Sequence, residues 1–102
     1  MISALLKLID DGKDSALLRF SLGSKYISAG DLKSAETHLA EAVKQNPNYS
    51  AAWKLYGRVL GQLGAVEKSI TVYQQGISVA EANGDKQVAK EMAVFLRRLT
   101  KK

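Results

Sequence analysis

Apolar residues recur along this chain at spacings of three and four, the period that buries one face of an α-helix. Leu18, Leu22 and Tyr26 advance by four, and Trp53, Tyr56, Leu60 and Leu63 keep one face. So do Leu32, Ala35, Leu39, Ala42 and Val43, then Val66, Ile70, Tyr73, Ile77 and Ala80, and lastly Val88, Met92, Phe95, Leu96 and Leu99. No window alternates with period two, and the β-branched fragment Ile70-Thr71-Val72-Tyr73 lies inside a helical stripe. Breaks fall at Gly12, Gly30, Pro47, Gly64 and Gly84. Asp31 and Asp85 each follow a glycine, where glycine ends one helix in a left-handed turn and aspartate caps the next. The pattern predicts an all-α chain of about six helices, over 2–10, 15–28, 31–45, 50–62, 65–82 and 85–100. Connections this short force sequential helices to pack antiparallel.

A shift of 34 residues sets Gly23 on Gly57, Gly30 on Gly64 and Thr37 on Thr71. Three identities carry little, but the residue classes agree over a longer stretch. Leu22-Gly23, Tyr26, Gly30, Ala35, Leu39 and Ala42 are matched by Tyr56-Gly57, Leu60, Gly64, Ser69, Tyr73 and Gly76, with Pro47 closing the first set and Trp53 heading the second. Large and small side chains in this order suit two tightly crossed helices, because the small ones let the backbones approach.

In this pattern the sequence resembles the tetratricopeptide repeat family, a helix–turn–helix unit of 34 residues with the signature W-x2-L-G-x2-Y, A-x3-F and P. The resemblance covers residues 15–83 directly, with Arg19 in place of the tryptophan of the first repeat and Glu81 in place of the proline of the second. It implies a short right-handed α-solenoid of antiparallel helix pairs, a TPR-like superhelix. Residues 1–13 then read as the second helix of a preceding half-repeat, 14–48 as repeat one, 49–83 as repeat two, and 84–102 as a C-terminal capping helix with a basic tail. Stepping forward into that last helix takes 36 residues, the turn around Asn83-Gly84 being larger by two. Trp53, Tyr56, Gly57 and Leu60 fall there on Ala89, Met92, Ala93 and Leu96. A unit of this kind cannot bury its apolar face alone, and stacked neighbours supply the core.

Composition narrows the function. With 102 residues, 46% apolar and 25% charged, the chain suits one globular domain and not a disordered tail. Having no cysteine excludes disulfides, thiolate zinc sites and a cysteine nucleophile, and the single histidine, His38, excludes a histidine metal cluster. No uncharged apolar run is long enough to span a bilayer, and Met1–Lys7 lacks the basic lead of a secretory signal, so a cytoplasmic protein is expected. The net charge of +5 is concentrated at the end, where 84–102 sets Lys86, Lys90, Arg97, Arg98, Lys101 and Lys102 against Asp85 and Glu91.

Catalysis and cofactors are not expected. Neither a P-loop nor a strand-borne glycine loop is present. His38 lies in a helix near Glu36 and Glu41, and reads as a surface residue. Asp10, Asp11 and Asp14 cluster around Gly12 without the ligand spacing of a calcium loop, so turn and N-cap duty is expected, with no metal. Tyr49 and Trp53 read as core and repeat-junction residues.

What the resemblance implies instead is a concave groove, lined by the first helices of successive repeats, that binds a peptide or protein segment. Carried over position by position, the groove takes Leu17, Phe20, Ser24 and Ile27 from repeat one. It takes Ala51, Lys54 and Arg58 from repeat two, and Gln87, Lys90, Val94 and Arg97 from the capping helix. The groove is apolar at one end and basic at the other, which suits an acidic peptide or a chain terminus with apolar anchors. Chaperone-binding members hold a C-terminal carboxylate with lysine, asparagine and arginine. Here those positions are Phe20, Ser24, Leu55, Gln87 and Glu91, so that ligand is not expected. A non-catalytic protein-binding module is therefore the leading reading. The alternative is a self-associating scaffold element using Leu17, Phe20 and Ile27. Nucleic-acid binding through the basic C-terminal helix ranks lower, for want of interleaved aromatics.

Overall fold

The computed structural model describes residues 1–101; Lys102, counted above with the basic tail, lies outside them. Six helices follow one another: α1 (Ile2–Asp10), α2 (Ala16–Ser28), α3 (Leu32–Gln45), α4 (Ser50–Gln62), α5 (Val66–Ala82) and α6 (Lys86–Thr100). Among the described residues there is no strand. Ser15, Asp31, Ala65 and Asp85, expected to open their helices, stand one position earlier as N-caps.

The turns within each pair are tight for a local reason. Gly30 adopts φ 80, which an L side chain rarely tolerates, and its N–H reaches back to the carbonyl of Ile27. The N–H of Asp31 then bonds the carbonyl of Tyr26, which satisfies the end of α2. Asp31 caps α3 at once, accepting from the N–H and the hydroxyl of Ser34. Asp85 departs from that expectation. It sits at the N-cap of α6 without capping it, and its carboxylate accepts the hydroxyl of Ser50, one repeat away. The long-range alcohol wins over the local amide.

Crossings are set by small residues. A Cβ built on Gly23 would lie 2.5 Å from Cγ of Leu39, and one on Gly57 would lie 2.6 Å from the Tyr73 ring. Ser69 is fully buried and donates its hydroxyl to the carbonyl of Gly57 at 2.7 Å, so the small polar residue at this crossing is satisfied. Leu39, Tyr56, Leu60, Tyr73 and Met92 fill the space around these contacts. Trp53 is buried with them, and its indole N–H donates to the carbonyl of Pro47 at 2.8 Å, pinning the turn before α4. Asn83 donates to the carbonyl of Asn48, tying the next junction to the same turn. The result is an elongated row, 44 × 28 × 18 Å, in which each helix packs on its predecessor and α4 also meets α6. At the N-terminal end, α1 packs on α2 and has no fully buried residue.

Candidate functional site

α2, α4 and α6 supply the residues expected in the groove, and the structure sorts them into distinct environments. Leu17 is 66% exposed, while Phe20 is half-buried against the Tyr49 ring, centroids 5.0 Å apart. Ser24 is exposed and Ile27 half-buried, packed onto the core. On α4, Ala51 and Lys54 are half-buried and Arg58 is exposed. Gln87, Lys90, Val94 and Arg97 of α6 are all exposed.

Charges pair differently from the expected face of cations alone. Lys54 Nζ lies 3.0 Å from Oε1 of Glu91, so the half-buried lysine expected to line the groove is already neutralised by an acid. Lys90 opens instead onto a depression between α5 and α6, beside Ile77, Glu81, Lys86, Ala89 and Ala93. Arg97 follows Lys90 by seven residues and shares that flank of α6. The cation that joins Arg58 is Arg98.

Arg58 and Arg98 flank a hollow of about 310 Å³ lined also by Gly61, Gln62, Ser69, Tyr73, Phe95 and Leu99. It lies between α4 and α6, with α5 as its back wall. Phe95 stacks on Tyr73 at 5.9 Å, and the Arg98 guanidinium rests over the Phe95 ring at 5.7 Å. An arginine on an aromatic face is held flat with its edge donors open to solvent. Burial pushes the Tyr73 hydroxyl up to about 12, against an opposing pull from Arg58. At neutral pH it remains protonated, and Tyr73 belongs to the α5 back wall between the two arginine flanks. The site is an apolar floor between two cations. Sequence reasoning missed Arg98, Tyr73, Phe95 and Leu99 here, because a stripe for the core and a stripe for a pocket look the same.

Two other expectations change. Asp14 does not cap α2; it takes two bonds of 2.8 Å from Arg19, and Ser15 is the cap. His38 is half-buried and not a surface residue. Its ring stacks on Tyr26 at 5.4 Å, and its Nδ1 lies 3.1 Å from Nη1 of Arg19. No group of three or more metal-ligating side chains forms among the described residues. No described helix is long and apolar enough to cross a membrane.

Comparison with known proteins agrees with the helical repeat fold. A family model for the tetratricopeptide repeat matches residues 26–93. A TPR repeat-containing protein of Pseudomonas aeruginosa is 46% identical over 99 residues, covering 97% of this chain and 94% of that one. A protein of Bordetella parapertussis solved in solution superimposes with a TM-score of 0.82 at 37% identity, covering 97% of this chain and 86% of the other. A tetratricopeptide repeat domain protein of Salinibacter ruber gives 0.79 at 21% identity, over 84% of this chain and 96% of that one, and speaks to the fold.

Proposed function

The chain belongs to the tetratricopeptide repeat family, whose members are in general non-catalytic protein–protein interaction modules, and from that premise we propose that it binds an acidic, apolar-anchored peptide segment along α2, α4 and α6. The observation that carries this reading is the hollow between Arg58 and Arg98. A carboxylate from the ligand meets two guanidinium groups and the Tyr73 hydroxyl, while an adjacent aliphatic or aromatic side chain leaves water for the floor of Phe95 and Leu99. The two terms differ in kind: charge-assisted hydrogen bonds fix orientation, and apolar burial supplies salt-resistant affinity. Leu17, Phe20 and Ile27 offer further apolar contacts at the other end, and Ser24, Ala51, Gln87 and Val94 leave room between. Lys90 and Arg97, on the outer flank, contribute through their field.

No catalytic role belongs to this reading. The lone histidine is engaged with Arg19 and Tyr26.

The test is selection from a random peptide library, followed by titration of an enriched peptide. Wild type is expected to enrich sequences with aspartate or glutamate next to leucine, isoleucine or phenylalanine. The double variant Arg58→Glu, Arg98→Glu should then bind the enriched peptide more than tenfold more weakly, about 1.4 kcal/mol. Enrichment of basic peptides, or equal binding by a folded double variant, would remove the site from this hollow.

A further inference from the structure

In both complete helix pairs a large side chain of the second helix closes over a small residue of the first, Leu39 over Gly23 and Tyr73 over Gly57. Thirty-four residues before Leu39 stands Leu5 of α1, and 36 after Gly57 stands Ala93 of α6. Among the described residues α1 and α6 do not pack on each other. Ala35 and Ala42 are fully buried in α3, but the matching Met1 is 80% exposed and Leu8 39% exposed. On α6, Ala93 and Leu96 are half-open where Gly57 and Leu60 are buried. Ala93 also lines the depression of about 430 Å³ between α5 and α6, with Ile77 and Ala89 beside it.

We propose that a second copy of this chain covers these faces: α1 of one copy packs antiparallel on α6 of the next, Leu5 over Ala93 and Leu8 beside Ala89, forming between copies the helix pair seen twice within the chain. The register follows from the internal pairs, since Gly76, the counterpart of Leu8, approaches Cβ of Trp53, the counterpart of Ala89. Charge agrees with it. The antiparallel run brings Asp10 and Asp11 toward the end of the neighbouring α6 that carries Lys86 and Lys90, and that helix sets Lys86, Lys90, Arg97 and Arg98 against Glu91 alone. The carboxylates of Asp10 and Asp11 against Lys86 and Lys90 favour this orientation, with Lys7 opposing it in part, and burial of Leu5, Leu8 and Met1 holds the contact. The occupant is a copy of this chain because both complementary surfaces, in one register, belong to it.

Such a contact joins two different faces, so it is heterologous and adds copies head to tail, each presenting a free face unless the row closes into a ring. It shares Lys90 with the residues named for the groove but none with the hollow between Arg58 and Arg98 or with the Leu17, Phe20 and Ile27 patch, so the Leu8→Glu and Ala93→Glu variants test it apart from the peptide-binding reading.

Sedimentation velocity on the intact chain over a range of concentrations reads the assembly. The expected result is a mean mass that rises with concentration past two protomers and falls with added salt. Leu8→Glu blocks α1 and Ala93→Glu blocks α6, and each alone should be monomeric. Mixed, they retain one good face apiece and should stop at a heterodimer. Lys86→Glu with Lys90→Glu, on exposed side chains, gives a second disruption that does not depend on apolar sites. A single-chain mass at every concentration up to about 1 mM overturns the proposal. So does a mass that stops at two protomers, a mixture that stays monomeric, or an assembly indifferent to all the variants.

Discussion

Arg19 and Asp14 close on each other through paired hydrogen bonds of 2.8 Å, Nε to Oδ1 and Nη2 to Oδ2, and so fasten α2 to the turn before it. Trp53, one repeat later, reaches back to the same place in its own turn through its indole N–H and the Pro47 carbonyl. Arginine thus does for the first repeat what tryptophan does for the second, by charge where the other uses an apolar plate with a polar edge. The substitution transfers a structural duty to an ionisable pair. Its consequence is pH dependence.

The Arg19 hydrogen bonds hold the Asp14 carboxyl down at about 2, below its ordinary 3.8. A carboxyl depressed by folding stabilises the fold while ionised. Its contribution is therefore complete above pH 3.8 and fades as pH falls through about 2. Asp14→Asn should lower stability by about 1 kcal/mol at neutral pH, the pair being partly solvated, and the deficit should vanish in strong acid. Urea midpoints of the two proteins against pH check this. A deficit that persists at the acid end would show that Asp14 acts through something other than its charge.

His38 is held below its ordinary 6.5, chiefly by burial and then by the Arg19 charge. Arginine can only donate, so Nδ1 must accept and the ring proton sits on Nε2. The neutral form is the one that fits. Its stabilisation is present above pH 6.5 and is lost on acidification, in the same direction as that of Asp14. Imidazole nitrogen shifts followed by NMR should show the Nε2–H tautomer at neutral pH and a midpoint below 6.5. A midpoint above it would mean that the Asp14 carboxylate, not Arg19, dominates the ring.

Two glycines of α4 should respond oppositely to the same methyl group. At Gly57 the new Cβ would meet the Tyr73 ring at 2.6 Å, and Tyr73 is wedged against Phe95. Gly57→Ala should cost ~1–3 kcal/mol, and Gly57→Leu more, through overpacking. At Gly61 the nearest atom, Ser69 Oγ, is 3.5 Å away, an ordinary contact. There alanine's better helix propensity should win, giving a gain of roughly 0.5–1 kcal/mol. Chemical denaturation of both variants decides it, and equal signs would contradict the crossing geometry.

What the sequence made legible is what neighbouring residues determine. Helix period, the glycine that ends α2 and the Asp31 cap depend on a few adjacent positions, and the repeat register follows from the order of small and large classes. Partner choice does not. Asp85 has the type and place of a cap, but whether it bonds its own helix or Ser50 depends on how the repeats stack. Glu91 was read as a failed clamp position, and its pairing with Lys54 needs the distance between α4 and α6. Arg97 and Arg98 are sequence neighbours about 100° apart around a helix, so the choice of flank turns on a rotation that spacing alone leaves open. Hydrophobic stripes fixed the inside of α6 and left its outside undetermined.

Glu91 gives the proposed acidic ligand its own test. It neutralises Lys54 at 3.0 Å, four residues before Arg58 on α4, so an acidic ligand lying between α4 and α6 as proposed would have to pass a carboxylate as well as the two arginines. Glu91→Gln keeps the shape, removes the repulsion and leaves Lys54 able to take the ligand. An acidic peptide selected on wild type should then bind roughly three- to tenfold more tightly at low salt, about 0.6–1.4 kcal/mol, with the gain shrinking as salt is added. Conversely, Lys54→Gln should weaken that peptide less than Arg58→Gln does, because the lysine's charge is already engaged. Calorimetric titration of the three variants at two salt concentrations measures both differences. Weaker binding by Glu91→Gln would mean that the ligand presents a cation at this end of the groove, and the acidic assignment would be reversed there.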